Sequence, residues 1–174
     1  MSHRHINATS GAVEYYTPLE IIESARSVLG RIDLDPFSSE AANLRVKADR
    51  FYTIKEDGLK QEWVGRFWMN HPFGKGMNRP CIEKVELEHR MGRAVEGMCI
   101  TYAATSEKWF RPLLNRPQCY LTPRTNYFLP DGTLKTGVTK GSVVTYFGRN
   151  VSKFAHEFSS HGIVKVNFQP NNET

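Results

Sequence analysis

The sequence predicts an α/β fold built on a mostly parallel sheet with an antiparallel end and helices on both faces. Three observations carry this. Apolar runs of strand length alternate with helical-period segments through the first two thirds of the 174 residues. One of those runs, "VEGMCITYA", is almost continuously apolar, as in a strand covered on both faces. The last third instead offers short strands around Asp131-Gly132, a hairpin-type turn.

Taken in order, the polar stretch 1–13 lacks the apolar core of a signal peptide and reads as a mobile arm on a single domain, 1–174. "YYTPLEIIESARSVLG" is a helix. Thr17 and Glu20 have capping-box spacing, Pro18 sits at the first helical position, and Gly30 is placed to end it. Ile21, Ile22, Ala25, Val28 and Leu29 share one face, which is therefore expected in the core. "RIDLDPFSS" is a short strand through Ile32 and Leu34 that stops at Asp35-Pro36, because proline cannot donate to a central ladder. After it come a helical turn, a strand near Phe51-Tyr52 and a polar loop. "VGRFWMN" is a strand by its aromatic and apolar run. "NRPCIEKVELEHRMG" is a helix ending before Gly92, and "TSEKWFRPLL" a short helix that Pro112 breaks or kinks. "QCYLTP", "NYFL" and "GSVVTYFG" supply the later strands.

Composition sets bounds on function. A hydrophobic share of 40% and a charged share of 24% are those of a soluble globular protein, and the net charge of +5 suits a polyanionic partner without proving one. Cys81, Cys99 and Cys119 are odd in number and widely spaced, as expected of reduced thiols in a cytoplasmic protein. No apolar run is long enough to span a bilayer.

In open α/β sheets, ligands bind outside the carboxyl ends of the strands. Two strands end in unusual chemistry there: Asp35-Pro36, and "NHPF" at positions 70 to 73. An ordinary turn would account for either alone. Together, on neighbouring strands, they would face one crevice. Asn70 offers an amide oxygen and an amide nitrogen. Pro72 fixes the backbone so that the carbonyl of His71 is held as a second acceptor, and Phe73 adds an aromatic face. Two acceptors beside a stacking surface suit a planar heterocycle with an exocyclic amino group. Acceptors on its N–H bonds favour the tetrahedral form, whose lone pair can attack a methyl carbon.

These residues carry a resemblance. "NHPF" is similar to the [DNS]-P-P-[YFW] tetrapeptide of amino-group DNA methyltransferases, "LDPFSSEA" to their cofactor motif, and "YYTPLEII" to the T-P-x-x-[VI] element before it. In order and spacing, over residues 14 to 150, the series resembles phage-type DNA N6-adenine methyltransferases. The resemblance implies a class I, Rossmann-like fold, S-adenosylmethionine as cofactor, DNA as partner, and the cytoplasm of a bacterial host for a phage-encoded chain. It implies that Tyr16, Thr17 and Pro18 lie by the cofactor's amino-acid end, and that Asp35, Pro36, Ser38 and Ser39 form the turn beneath it. It further implies that Asn43 reaches a cofactor hydroxyl and Asp57 lies by the cofactor adenine. Asn70, the His71 carbonyl, Pro72 and Phe73 would then hold a flipped target base.

His71 stands where proline is usual; acting through its carbonyl, it leaves its side chain free to vary, solvated or satisfied by a neighbour. Ser39 and Ala41 replace usual glycines. Glu40, Asp49 and Asp57 all remain open as the acid that grips the ribose. Lys75 and Arg79 form a basic segment beside the base pocket, and Arg116, Arg124, Lys135 and Lys140 a second basic group on the same side. Two rival readings stand beside this one: another amino-group target (cytosine N4 or protein glutamine), and an inactive DNA-binding module of the same fold.

Overall fold

The computed structural model describes residues 14–74 and 76–167; the arm 1–13, Lys75 and residues 168–174 lie outside the described residues. Along the chain run α1 (Leu19–Leu29), β1 (Leu34–Asp35), α2 (Glu40–Val46), β2 (Arg50–Phe51), β3 (Gly65–Met69), α3 (Asn78–Arg90) and β4 (Ala94–Tyr102). A 3-10 helix (Lys108–Asn115) follows, then β5 (Gln118–Leu121), β6 (Tyr127–Phe128), β7 (Leu134–Lys135), β8 (Ser142–Phe147), α4 (Val151–Phe158) and β9 (Gly162–Lys165). One seven-stranded sheet has the order β2-β1-β3-β4-β8-β5-β9, and β6 and β7 pair separately as a hairpin. The pairs β2-β1, β1-β3 and β3-β4 are parallel. β8 runs antiparallel to both β4 and β5, and β9 antiparallel to β5. The expected mostly parallel sheet with an antiparallel end is therefore what forms.

Each face of the sheet carries its own core. On one side the predicted stripe of α1 is buried with Trp68, Met98, Tyr146, Phe154 and Phe158. On the other, Cys81, Ile82 and Val85 of α3 and Phe110 and Leu113 of the 3-10 helix cover Phe67, Met69, Cys99 and Phe147. Pro112 sits inside that 3-10 helix rather than ending it. α4 and β9 are elements the sequence reading left unassigned. Asn150 caps α4 by accepting from the Lys153 N–H at 3.3 Å, and Phe154 and Phe158 then complete the α1 face.

The start of α1 departs from expectation. Its N-cap is Pro18, without a side-chain cap, so the Thr17–Glu20 capping box does not form. The N–H groups of Ile21 and Ile22 turn to the Pro18 carbonyl instead. Thr17 thus stands one position outside the helix, buried, with its hydroxyl available to another partner.

What positions the site is the reversal of strand order around β1. β2 lies on one side of it and β3 on the other, with Leu34 beside Phe67. A crevice opens at such a switch point, beyond the strands' carboxyl ends. The loop after β2 is pinned beneath it. The Trp63 indole donates to the Gly58 carbonyl at 2.8 Å, and the Trp63 N–H donates to Glu88 at 3.2 Å. Glu88, fully buried on α3, also takes Lys84 at 2.7 Å and Arg93 at 2.6 Å. Burial pushes this carboxyl up, but the hydrogen bonds from Arg93, Lys84 and Trp63 outweigh it and hold the pKa at about 2.

Candidate active site

A cavity of about 370 Å³ opens where β1 and β3 end. Asp35, ending β1, and Asn70, directly after the neighbouring β3, both line it, as expected. With them come Tyr16, Thr17, Ser38, Ser39, Asp57, His71, Pro72 and Phe73. Pro18 and Pro36 do not reach the cavity surface; they shape the backbone on either side of it.

Asn70 is fixed through its amide nitrogen. Its Nδ2 donates to the Tyr15 carbonyl at 2.8 Å and to Thr17 Oγ1 at 3.2 Å. Two acceptors on the amide nitrogen set the orientation of the amide. Its Oδ1 has no hydrogen bond among the described residues and stays available as an acceptor. Thr17, which the resemblance gives to the cofactor, spends its hydroxyl on holding Asn70.

For His71 two states are expected, solvated or satisfied by a neighbour, and the second is found: the side chain is buried. Nε2 lies 2.8 Å from Asn78 Oδ1, tying the loop to the first residue of α3. The ring meets Phe73 edge-on at 5.2 Å. Burial lowers its pKa to about 4, against the raising effect of Asn78, so the imidazole is neutral at pH 7. Its buried Nδ1 has no partner among the described residues. Phe73 packs in turn on Tyr102, centroids 4.5 Å apart and planes tilted 34°.

On the β1 side, Asp35 is almost fully buried. Its Oδ1 accepts the Phe37 N–H at 3.2 Å. Burial drives its pKa up to about 7, while the Phe37 N–H and the Ser38 hydroxyl pull the other way. The turn is tight because Gly58 leans on it: a Cβ there would come 1.9 Å from the Pro36 carbonyl oxygen. Ser39 lines the cavity and also caps α2, accepting the Ala42 N–H at 3.2 Å.

Asn43 is a correction. Its amide bonds the Ala48 carbonyl at 3.1 Å and the Ala48 N–H at 2.9 Å. It closes the turn after α2 and does not line the cavity. Of the three acids left open, Asp57 alone lines it; Glu40 and Asp49 do not. The Asp57 carboxylate accepts the Leu59 N–H at 3.2 Å and pairs with Lys60 at 3.1 Å.

The basic residues divide. Arg79 is paired with Glu83 at 2.7 Å on α3 and lines no cavity. Arg116 is removed from the expected group: it binds Glu86 through two nitrogens, at 2.9 and 2.7 Å, and lies 4.1 Å over Phe147. It precedes β5, whose direction follows β4, so it sits at the end of the sheet away from the crevice. Arg124, exposed after the carboxyl end of β5, is at the crevice end. Lys135 and Lys140 edge a second hollow of about 210 Å³. Tyr15, Phe73 and Tyr102 wall both hollows. Lys75 lies outside the described residues.

Sequence reasoning passed over Tyr15, Tyr102 and Arg45. Tyr15 acts through a carbonyl, which no motif shows. Tyr102 ends β4, beside β3, and the rule about strand ends could have found it.

A family model described as "DNA N-6-adenine-methyltransferase (Dam)" matches residues 9–149, most of the chain. No curated protein matches it.

Proposed function

This chain belongs to the DNA N-6-adenine-methyltransferase family, and we propose that it moves the methyl group of S-adenosylmethionine to N6 of an adenine flipped out of DNA. The observation that carries this is the Asn70 amide, anchored through nitrogen and open through oxygen. The match to an adenine family weighs against cytosine N4 and protein glutamine as targets.

The cavity fits the cofactor. Its volume of about 370 Å³ is that of a small-ligand site. Its lining presents the carboxylates of Glu14, Asp35 and Asp57 to a ligand bearing a sulfonium and an ammonium. Asp35, poised near pH 7 when alone, becomes fully ionised beside such a cation. Tyr16, Trp68, Phe73 and Tyr102 add aromatic surface. When bound, S-adenosylmethionine supplies an electrophilic methyl carbon on positively charged sulfur.

The protein's part is positioning. Asn70 Oδ1 accepts one N6–H and the His71 carbonyl the other, which turns the nitrogen lone pair toward the methyl carbon. The cofactor would supply the methyl carbon with neutral sulfur as the leaving group, and N6, held by Asn70 and the His71 carbonyl, would give up its proton to water. Phe73, braced by Tyr102, stacks on the base. His71 is neutral and bonded to Asn78, so its imidazole serves to hold this loop. The tyrosine-walled hollow with Lys135 and Lys140 supports entry of the base from the DNA side, with Lys75, Arg124, Lys135 and Lys140 the proposed phosphate contacts and Arg79 set aside because Glu83 engages its charge.

The test is transfer of labelled methyl to adenine-containing DNA, followed by nucleoside chromatography. Label should appear as N6-methyl-2′-deoxyadenosine. Label in a cytosine derivative, or none with cofactor demonstrably bound, would sink the proposal.

A further inference from the structure

Among the described residues that line the 370 Å³ cavity, Arg45 is the only lysine or arginine; the other formal charges there are Glu14, Asp35 and Asp57. Arg45 is half-buried, and it makes no salt bridge among the described residues. Its guanidinium carbon sits 4.4 Å over the Phe128 ring. Phe128 is itself fixed to Tyr16 by backbone hydrogen bonds in both directions, at 2.8 and 2.9 Å. The cation is therefore held at the Tyr16 end of the cavity. Asn70 is anchored at that end too, through Tyr15 and Thr17.

This placement rests on the cofactor reading above, and it deepens it. The methyl group must reach the base at Asn70, so the sulfur and the amino-acid arm lie at the Tyr16 end. That arm carries one negative group, a carboxylate. The other formal charges lining the cavity are carboxylates, which would repel it, and His71 is uncharged. A partly desolvated anion needs a charged donor. We infer that Arg45 binds the carboxylate of the cofactor's amino-acid arm, with Phe128 holding the guanidinium flat.

The experiment compares two ligands by calorimetry: S-adenosylmethionine and its decarboxylated form, which keeps the sulfonium and the amine but lacks the carboxylate. The wild-type protein should prefer the first. Arg45→Ala should weaken S-adenosylmethionine by about ten- to a hundredfold, the range for a hydrogen bond to a charged group. Binding of the decarboxylated form should stay within about twofold, which is within the scatter of such contributions. Arg45→Lys should recover part of the loss. Arg45→Gln keeps the stem on Phe128 while removing the charge, and carries the comparison if the alanine variant does not fold.

An equal loss for both ligands would make Arg45 a packing residue and overturn the inference, as would wild-type protein that does not distinguish them. A variant that loses DNA binding with an unchanged ligand ratio would place Arg45 on a phosphate, again overturning it. If the wild type binds neither ligand, the cofactor reading itself falls, and Arg45 with it.

Discussion

Asn70 donates its side-chain N–H to the carbonyl oxygen of Tyr15 at 2.8 Å, linking positions 55 residues apart. The end of β3 is thereby fastened to the segment that enters α1. On the proposed function, the acceptor on Asn70 is held by the segment that also walls the cavity given to the cofactor, so one piece of backbone would register the two substrates.

Asn70→Ala should leave cofactor and DNA binding nearly intact while methyl transfer falls about a hundred- to a thousandfold, the usual effect of losing one transition-state hydrogen bond. Single-turnover transfer with saturating DNA checks this. A variant with wild-type turnover would remove Asn70 from the chemistry.

Thr17→Val separates two roles. The hydroxyl is 3.2 Å from Asn70 Nδ2 and buried. If it orients Asn70, the substitution should lower the transfer rate about three- to tenfold, the worth of one neutral hydrogen bond, with cofactor affinity unchanged. Weakened cofactor binding with an unchanged rate would return Thr17 to the role implied by motif resemblance.

Asp35 gives a pH signature. Its ordinary value is 3.8, and burial raises it to about 7 in the folded protein. The folded state therefore holds a proton between these values that the unfolded chain has lost. Stability from this group is full below about 4 and is lost as pH rises through about 7. A cationic cofactor favours the ionised carboxylate, so binding releases a proton and strengthens with rising pH over the same range. Asp35→Asn should flatten the fall in melting temperature between pH 5 and 8 and weaken cofactor binding at pH 8. Thermal melts without ligand, beside calorimetry, read both; an unaltered melt profile would show that Asp35 is ionised in the free protein.

The crevice was legible because strand endings announce it: Asp35-Pro36 and Asn70 to Phe73 are local features, and the topology needed only to bring β1 and β3 together. Roles of side chains were less legible. Asn43 and Arg116 carry the right chemistry for a ligand, yet Asn43 closes on Ala48 and Arg116 on Glu86. Partners 5 and 30 residues away decide this, and no motif encodes them. Glu88 reads as one more helix charge, yet lies buried among Lys84, Arg93 and Trp63. α4 went unassigned because eight residues hold only two buried aromatics, Phe154 and Phe158, too few to mark a helical stripe.

His71→Ala tests the packed imidazole. It removes the bond to Asn78 and the edge contact on Phe73. The loop should loosen, with stability reduced by about 1–3 kcal/mol, as for other buried hydrogen-bonded groups. Capture of DNA should weaken along with it. Because the imidazole is neutral at pH 7, the pH profile of transfer should keep its shape. A displaced pH profile would mean that the imidazole exchanges protons during turnover.

The basic rim can be tested through salt. Lys140 Nζ lies 4.9 Å from the Tyr102 ring, and Lys135 is on β7 opposite Tyr127, so both amines edge the tyrosine-walled hollow. Each phosphate neutralised by such a residue steepens the dependence of log affinity on log salt by about 0.9 for duplex DNA. Lys135→Ala with Lys140→Ala should therefore reduce the slope by about 1.8 if each lysine meets one phosphate. Arg116→Ala should leave the slope alone, since that guanidinium is paired with Glu86 at the far end of the sheet. Arg79→Ala should have little effect as well, its charge being engaged by Glu83. Fluorescence anisotropy with a labelled duplex at several salt concentrations supplies the slopes. An unchanged slope in the double variant, or a large fall in Arg116→Ala, would mean that DNA approaches another face of the molecule.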